Sequence, residues 1–285
     1  MRIPEKTKIR SIDLKVKDLK ASLTFYSEML VFKIIKNESR NVLLSADGEL
    51  PYLISLTEDK TAAAGKKDSA GLFHVAFRFR NRKELARVFL RLFNSGTKFQ
   101  GFSDHLVSEA IYLSDPDNNG VELYTDKPKS EWEIKSGQVM MDTLPLDLSK
   151  ITAELDNPDE WNGIDSETDI GHIHLSVSDL YQAEKFYGNI LGFDVSNSVY
   201  SGALFFAAGG YHHHIGTNIW HSRNKKVSSE NQTGLMSFTI KIPDKNVIQK
   251  IADEAEESKL TVDKINSGEI TIKDFDGISV RIAEQ

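Results

Sequence analysis

The sequence predicts an α+β fold in which four βαβββ modules form two curved mixed-sheet half-barrels with helices on the outside. Three internal repeats carry that expectation. Ile9-Arg-Ser-Ile-Asp-Leu-Lys-Val-Lys-Asp-Leu19 returns as Ile170-Gly-His-Ile-His-Leu-Ser-Val-Ser-Asp-Leu180. Gly71-Leu-Phe-His-Val-Ala-Phe77 is answered by Gly234-Leu-Met-Ser-Phe-Thr-Ile240. Asp115-Pro-Asp-Asn-Asn-Gly-Val-Glu-Leu123 is answered by Asp274-Phe-Asp-Gly-Ile-Ser-Val-Arg-Ile282.

Module one opens on the alternating strand from Ile9, turns at Val16-Lys-Asp-Leu19, runs as an amphipathic helix ending in Phe25-Tyr26, and continues past Met29-Leu-Val-Phe32 into another strand. Module two opens near Gly71 and passes through a helical stretch to a closing strand that carries Glu122. Module three, from Ile170, repeats module one, with Phe186-Tyr187 at the same offset from Ile190-Leu-Gly-Phe193; module four, from Gly234, repeats module two. Residues 1–126 are expected to form a first domain of modules one and two, and residues 169–285 a second of modules three and four. Between them, residues 127–168 lose the periodicity and turn rich in Asp, Pro, Ser and Glu. That connector is long for a plain linker, so it should pack on a domain surface, with Trp132 and Trp161 as anchors.

A chain of 285 residues is long enough for two cores, and 40% apolar with 27% charged residues is the balance of a folded globular protein. The formal charge of -7 argues against a nucleic-acid partner, which needs a basic face to displace counterions. With no cysteine, disulfides, thiolate metal sites and cysteine nucleophiles are excluded, so any metal must be held by imidazole and carboxylate. Met1 to Lys8 lacks the apolar core of a signal peptide and no apolar run reaches membrane-spanning length, so a cytoplasmic protein without membrane contact is expected.

Most of the eight histidines fall at equivalent places in the repeat. His172 and His174 lie on the opening strand of module three, on one face by alternation, and His74 on the opening strand of module two. Glu122 lies on the closing strand of module two. His212, His213 and His214 close module three, with His212 and His214 expected on one face and His213 facing away. A single strand histidine is ordinarily a core or rim residue satisfied by a hydrogen bond. Glu122, set in Val-Glu-Leu-Tyr, changes that balance, because a buried carboxylate is costly without a cation or donors. Two imidazoles and a carboxylate on one face, with positions left open, suit a divalent metal and in particular iron(II) oxygen chemistry.

On these residues the chain resembles the vicinal oxygen chelate superfamily, which includes glyoxalase I, bleomycin-resistance proteins and extradiol ring-cleaving dioxygenases. Gly171-His-Ile-His-Leu175, Tyr211-His-His-His-Ile-Gly-Thr-Asn-Ile-Trp220 and Ser108-Glu-Ala-Ile-Tyr-Leu-Ser-Asp-Pro-Asp117 are similar to two-domain bacterial catechol-2,3-dioxygenase-like and hydroquinone-linked ring-cleaving enzymes. The resemblance implies metal ligands on the first and last strands of paired modules. Module one has Ser11 where module three has His172, and module four has Ser237 and Arg281 where module two has His74 and Glu122. A full set, His74, Glu122 and His172, therefore requires module two to pair with module three across the two halves. The resemblance further implies His214 as the acid-base and oxygen-stabilising group, and Tyr112, ten residues before Glu122, as a hydrogen-bond donor. His105 is a candidate substrate contact or gate; His212 and His174 are candidates for a further ligand or for support behind the ligands.

The expected activity is extradiol-type cleavage of a catechol or hydroquinone, with a small aromatic diol and dioxygen as reactants and Fe(II) as the metal, Mn, Ni, Co or Zn being the other candidates. A glyoxalase-like isomerase or lyase, with His214 as a fourth ligand, is one rival; a metal-free protein that sequesters its ligand is another. Phe77, Phe206 and Trp220 are offered as wall or core residues, and self-association is left open.

Overall fold

The computed structural model describes residues 1–155, 161, 163–225, 231–266 and 268–285. Apolar alternation produces four opening strands, Lys8–Val16, Gly71–Phe79, Asp169–Ser176 and Gly234–Ile242. Each takes the centre of a sheet, so each is largely buried along its length. Lys8–Val16 pairs antiparallel with Gly234–Ile242, with Ile12 opposite Phe238. Gly71–Phe79 pairs antiparallel with Asp169–Ser176, with His74 opposite His174.

Those two seams decide the architecture. Modules four and one share an eight-stranded sheet, and modules two and three share a nine-stranded one. Each sheet is therefore mixed and takes one module from each half of the chain, which is the cross-pairing that a complete His74, Glu122 and His172 set requires. The strand Asp169–Ser176 also lies against Lys8–Val16 of the other sheet, and one continuous apolar cluster runs through both. Phe77 and Phe206 belong to that core and are fully buried.

Helices Arg82–Asn94 and Lys245–Glu257 cover the sheets. Asn81 and Asp244 cap them by accepting N–H bonds from Glu84 and Asn246, and each helix buries a stripe at helical spacing, Leu85, Val88, Phe89 and Leu92 in one, Ile248, Ile251 and Ala255 in the other. The helices of modules one and three run past Phe-Tyr, where the sequence had placed their ends: Leu19–Leu23 and Leu180–Ala183 widen into the π turns Thr24–Met29 and Glu184–Ile190. The Leu30 and Leu191 N–H groups reach back five residues to Phe25 and Phe186, and both aromatic neighbours in each turn are buried.

The tyrosines of these turns tie the modules a second way. Tyr26 donates to Asp115 at 3.0 Å and Tyr187 to Asp274 at 2.8 Å, fastening module one to two and three to four while the sheets join four to one and two to three. In the connector, Leu144–Pro145 extends the nine-stranded sheet beside Gly101–Asp104. Trp132 packs among Val107, Val139 and Tyr211, and Trp161 lies under the Arg91 guanidinium at 4.7 Å; residues 156–160 and 162 of the connector lie outside the described residues. Among the described residues no helix is long and apolar enough to cross a membrane.

Removing either latch leaves a buried carboxylate short of one donor. Tyr26→Phe and Tyr187→Phe should each lower the unfolding free energy by roughly 1.5–3 kcal/mol with an unchanged denaturant slope, read from urea titrations at pH 7.

Candidate metal centre

The seam of the nine-stranded sheet brings three side chains to one point. His74 lies opposite His174 on the neighbouring strand, and Glu122 stands beside Ala76 on the parallel strand Gly120–Asp126. Gly120 makes room for this approach, since a Cβ there would lie 2.1 Å from the Phe73 carbonyl oxygen. The result is His74 Nε2 at 2.9 Å and His172 Nε2 at 3.1 Å from the same Glu122 oxygen. All three residues are buried, Glu122 being 2% exposed.

The donor set tests well against a divalent ion. Burial opposes ionisation of Glu122, yet the two imidazoles more than offset it and hold the carboxyl well below its usual range. Burial also pushes His172 down to about 4 against the pull of Glu122, so a neutral His172 stands against an anion inside the protein. His74 Nε2, although close to the carboxylate, is not aligned to donate to it and has no other hydrogen-bond partner among the described residues. Two nitrogens and one oxygen within 4.8 Å of one another, buried and short of positive charge, are the donors a borderline divalent cation takes.

A cavity of about 200 Å³ opens over this group. Tyr112, which pairs with Glu122 across the ladder, lines it together with His105. The ring nitrogens of His105 are both engaged. Nδ1 meets the Asp142 carbonyl at 2.7 Å and therefore carries the proton, so Nε2 accepts the Tyr112 hydroxyl, also at 2.7 Å. In that tautomer the Tyr112 proton points at His105 and its oxygen faces the cavity, while burial and then the neighbouring Glu122 carboxylate push the Tyr112 hydroxyl well above its ordinary value. Asp142 belongs to the connector, as do Met141 and Thr143 in the cavity wall, and Thr143 bonds Tyr200 across it.

The three consecutive histidines are arranged differently from the expectation. His174 lies opposite Gly216 in the ladder, so unbroken alternation would carry His214 to the cavity beside His172. The ladder begins only at Ile215, however, and residues 211–214 form a bent entry after Gly209 and Gly210, both at positive φ. The bend turns His213 inward, its ring 4.1 Å from that of His172, and sends His214 outward to accept the Ala208 N–H through Nδ1. His214 lines a separate groove with Arg78, Asp126 and Tyr211.

His212 is likewise turned from the cavity but reaches it through its neighbour. Its Nε2 meets Asp126 Oδ1 at 2.9 Å, and its Nδ1 meets His213 Nδ1 at 2.8 Å. Burial opposes ionisation of Asp126, but His212 and then Arg78 keep the carboxyl below its usual range, so it accepts from His212 Nε2–H. In the tautomer of His212 that carries its one proton on Nε2, Nδ1 accepts from His213 Nδ1–H, which leaves the buried His213 Nε2 proton-free, without a partner among the described residues, and in the cavity wall. His213 and Asp126 are the two groups the sequence did not single out; the Gly209-Gly210 pair was the signal that alternation would fail there.

The family model described as the Glyoxalase/Bleomycin resistance protein/Dioxygenase superfamily matches residues 8–123 and 169–282. The chain is 38% identical over 264 residues, 92% of each chain, to a catechol-2,3-dioxygenase of Bacillus subtilis (strain 168). Among solved structures, a protein of Bacillus subtilis subsp. subtilis str. 168 provisionally described as a dioxygenase superposes with a TM-score of 0.69 at 11% identity, covering 100% of this chain and 86% of that one. Glyoxalase I from Zea mays superposes with a TM-score of 0.61 at 14% identity, covering 98% and 92%.

His214 gives this arrangement a measurable pH signature. Burial, aided by His212 and Arg78, pushes His214 down to about 3, below the ordinary value of 6.5. The unfolded chain therefore takes up this proton first, so stability is full above pH 6.5 and declines as the pH falls toward 4. In the metal-free protein, the urea midpoint of His214→Gln should fall less steeply across that window than that of the wild type.

Proposed function

The chain belongs to the Glyoxalase/Bleomycin resistance protein/Dioxygenase superfamily, and from that premise we propose that it is a metal-dependent extradiol-type dioxygenase that cleaves the ring of a catechol or hydroquinone. The observation that carries the reading is the convergence of His74, His172 and Glu122 beneath a cavity walled by aromatic side chains. The 38% identity to a protein named catechol-2,3-dioxygenase supports it. In the same reading, residues 1–126 and 169–285 are repeat domains and 127–168 the connector, which the two matched stretches support.

His74, His172 and Glu122 would hold the metal, with Fe(II) the ion that best suits two imidazoles, one carboxylate and open positions. When bound, such an ion would hold the diol and dioxygen side by side, lower the pKa of the diol, and carry electrons between them. Everything else falls to the protein. His213 Nε2, proton-free and facing the cavity, takes a proton from a substrate hydroxyl. Asp126 and His212 keep that nitrogen in its accepting tautomer, much as an oriented carboxylate fixes a catalytic imidazole.

Tyr112 offers its oxygen to a second substrate hydroxyl while its own proton lies on the line to His105 Nε2. Once His105 Nε2 is itself protonated, Tyr112 can turn its proton into the cavity and stabilise developing negative charge. The connector residues Met141 and Thr143, with Phe73, Phe205 and Trp220, exclude water from the ring. Both atoms of dioxygen enter the product, the carbon–carbon bond beside the diol breaks, and the diol supplies the electrons, so no external reductant is consumed.

The protein loaded anaerobically with Fe(II) should retain about one ion per chain through gel filtration, held by the donor set His74, Glu122 and His172, the one such group among the described residues. His74→Ala, Glu122→Ala and His172→Ala should not retain it. Oxygen uptake with a panel of catechols and hydroquinones should match diol loss one for one. His213→Gln should reduce the rate about a hundredfold or more, whereas His214→Gln should change it far less. Metal retention without oxygen uptake, together with anaerobic isomerase activity in the presence of Ni or Zn, would instead establish the glyoxalase-like alternative.

A further inference from the structure

The geometry points to a substrate whose diol ring carries a small uncharged hydroxyl-type substituent, bound through His174 Nε2. This rests on the diol-cleaving reading above and adds to it the class of ring the cavity accepts. His174 is 4% exposed, and its Nε2 has no hydrogen-bond partner among the described residues although it lies in the cavity wall. The neighbouring imidazoles and phenols of the cavity wall are engaged elsewhere: His74 and His172 converge on Glu122, His213 is the base in the reading above, Tyr112 is joined to His105 and Tyr200 to Thr143. His174 stands outside the three-residue donor group. Its ring sits among aromatic rings, with centroids 5.2 Å from Phe73, 5.6 Å from Trp220 and 5.7 Å from Phe205.

The same place in the other sheet shows how the fold can satisfy a buried polar group from within. There Asp13 stands at the position of His174, and Tyr52 donates to it at 3.0 Å and Ser237 at 2.6 Å. That buried polar group is satisfied from within the protein. At His174 no such partners are provided, yet the sequence makes room for the ring: a Cβ on Gly216 would lie 2.8 Å from His174 Nδ1. A buried imidazole nitrogen left unpaired is costly, and a ligand group that pairs with it recovers that cost.

The surroundings narrow the choice of group. Among the described residues no lysine or arginine lines the cavity, so a carboxylate substituent would be buried there without a counter-charge. An alkyl group would fill the space and leave Nε2 unpaired. A hydroxyl both donates and accepts, and so suits the nitrogen in either tautomer. Size excludes large groups, because an apolar cavity of about 150 Å³ already holds a benzene ring, and the one here is about 200 Å³.

Anaerobic calorimetry on the Fe(II)-loaded full chain tests this with pairs of nearly equal shape: 1,2,3-trihydroxybenzene against 3-methylcatechol, and 1,2,4-trihydroxybenzene against 4-methylcatechol. In at least one pair the hydroxyl compound should bind about tenfold or more tightly than its methyl partner. His174→Phe should abolish or invert that preference, His174→Gln should keep it, and the metal content of all three proteins should be equal. Equal binding within both pairs, no binding of either trihydroxy compound, a preference that survives in His174→Phe, or loss of metal from His174→Phe would each overturn the assignment. Should His174→Phe fail to fold, the wild-type comparison and His174→Gln decide it. Binding is read without turnover, so the two readings fail separately. A hydroxyl preference without oxygen uptake would leave the subsite and remove the dioxygenase; uptake with the methyl compounds preferred would do the reverse.

Discussion

The antiparallel pairing of Gly71–Phe79 with Asp169–Ser176 is the constraint on which the rest of the structure depends. It joins two strands nearly a hundred residues apart in sequence, and its register sets His74 beside His174 and brings His172 within reach of Glu122. Because side chains alternate across a strand, a slip of one residue would send His172 and His174 to the opposite face and leave Glu122 buried without its imidazoles. The buried carboxylate is a liability anywhere else in the sheet. At this seam it converges with His74 and His172 into a donor set that can take a divalent cation.

The two sheets solve the same packing problem with different chemistry. In the eight-stranded sheet, Asp13 is held by Tyr52 and Ser237 and faces Arg281 at 3.8 Å, so its carboxylate is paired from within the protein. In the nine-stranded sheet the corresponding positions carry His174, His74 and Glu122, and the Nε2 atoms of the two histidines have no hydrogen-bond partner among the described residues. At these positions the first sheet pairs its carboxylate from within the protein, while the second leaves imidazole nitrogens open at the cavity wall. The Tyr26–Asp115 and Tyr187–Asp274 latches recur in both halves and belong to the shared scaffold, not to the chemistry.

Much of this was legible in the residues because it is periodic. The repeats located the opening strands, and the uneven distribution of histidine and glutamate among them required modules two and three to meet. What local pattern could not carry was the path of the chain where it leaves the ladder. Gly209 and Gly210 turn the backbone before Ile215, so the alternation expected to point His213 away fails there, and His213, not the His214 that the resemblance implied, lies in the cavity wall. Asp126 was invisible for a related reason: it lies four residues beyond Glu122 on the same strand, and only tertiary structure links it through His212 to the cavity. The connector looked like a surface segment. Its Asp142 carbonyl fixes the proton on His105, a contact of 37 residues' separation that no spacing rule announces.

The central claim is that the two halves of the chain build one metal centre between them, at His74, Glu122 and His172. Anomalous diffraction at the iron edge, from crystals of the protein loaded anaerobically with Fe(II), tests it most directly. The account predicts a single strong peak per chain within coordination distance of His74 Nε2, His172 Nε2 and the Glu122 carboxylate. A peak coordinated by another set of residues, or no ordered iron between these three in a protein that has retained the metal, would contradict it.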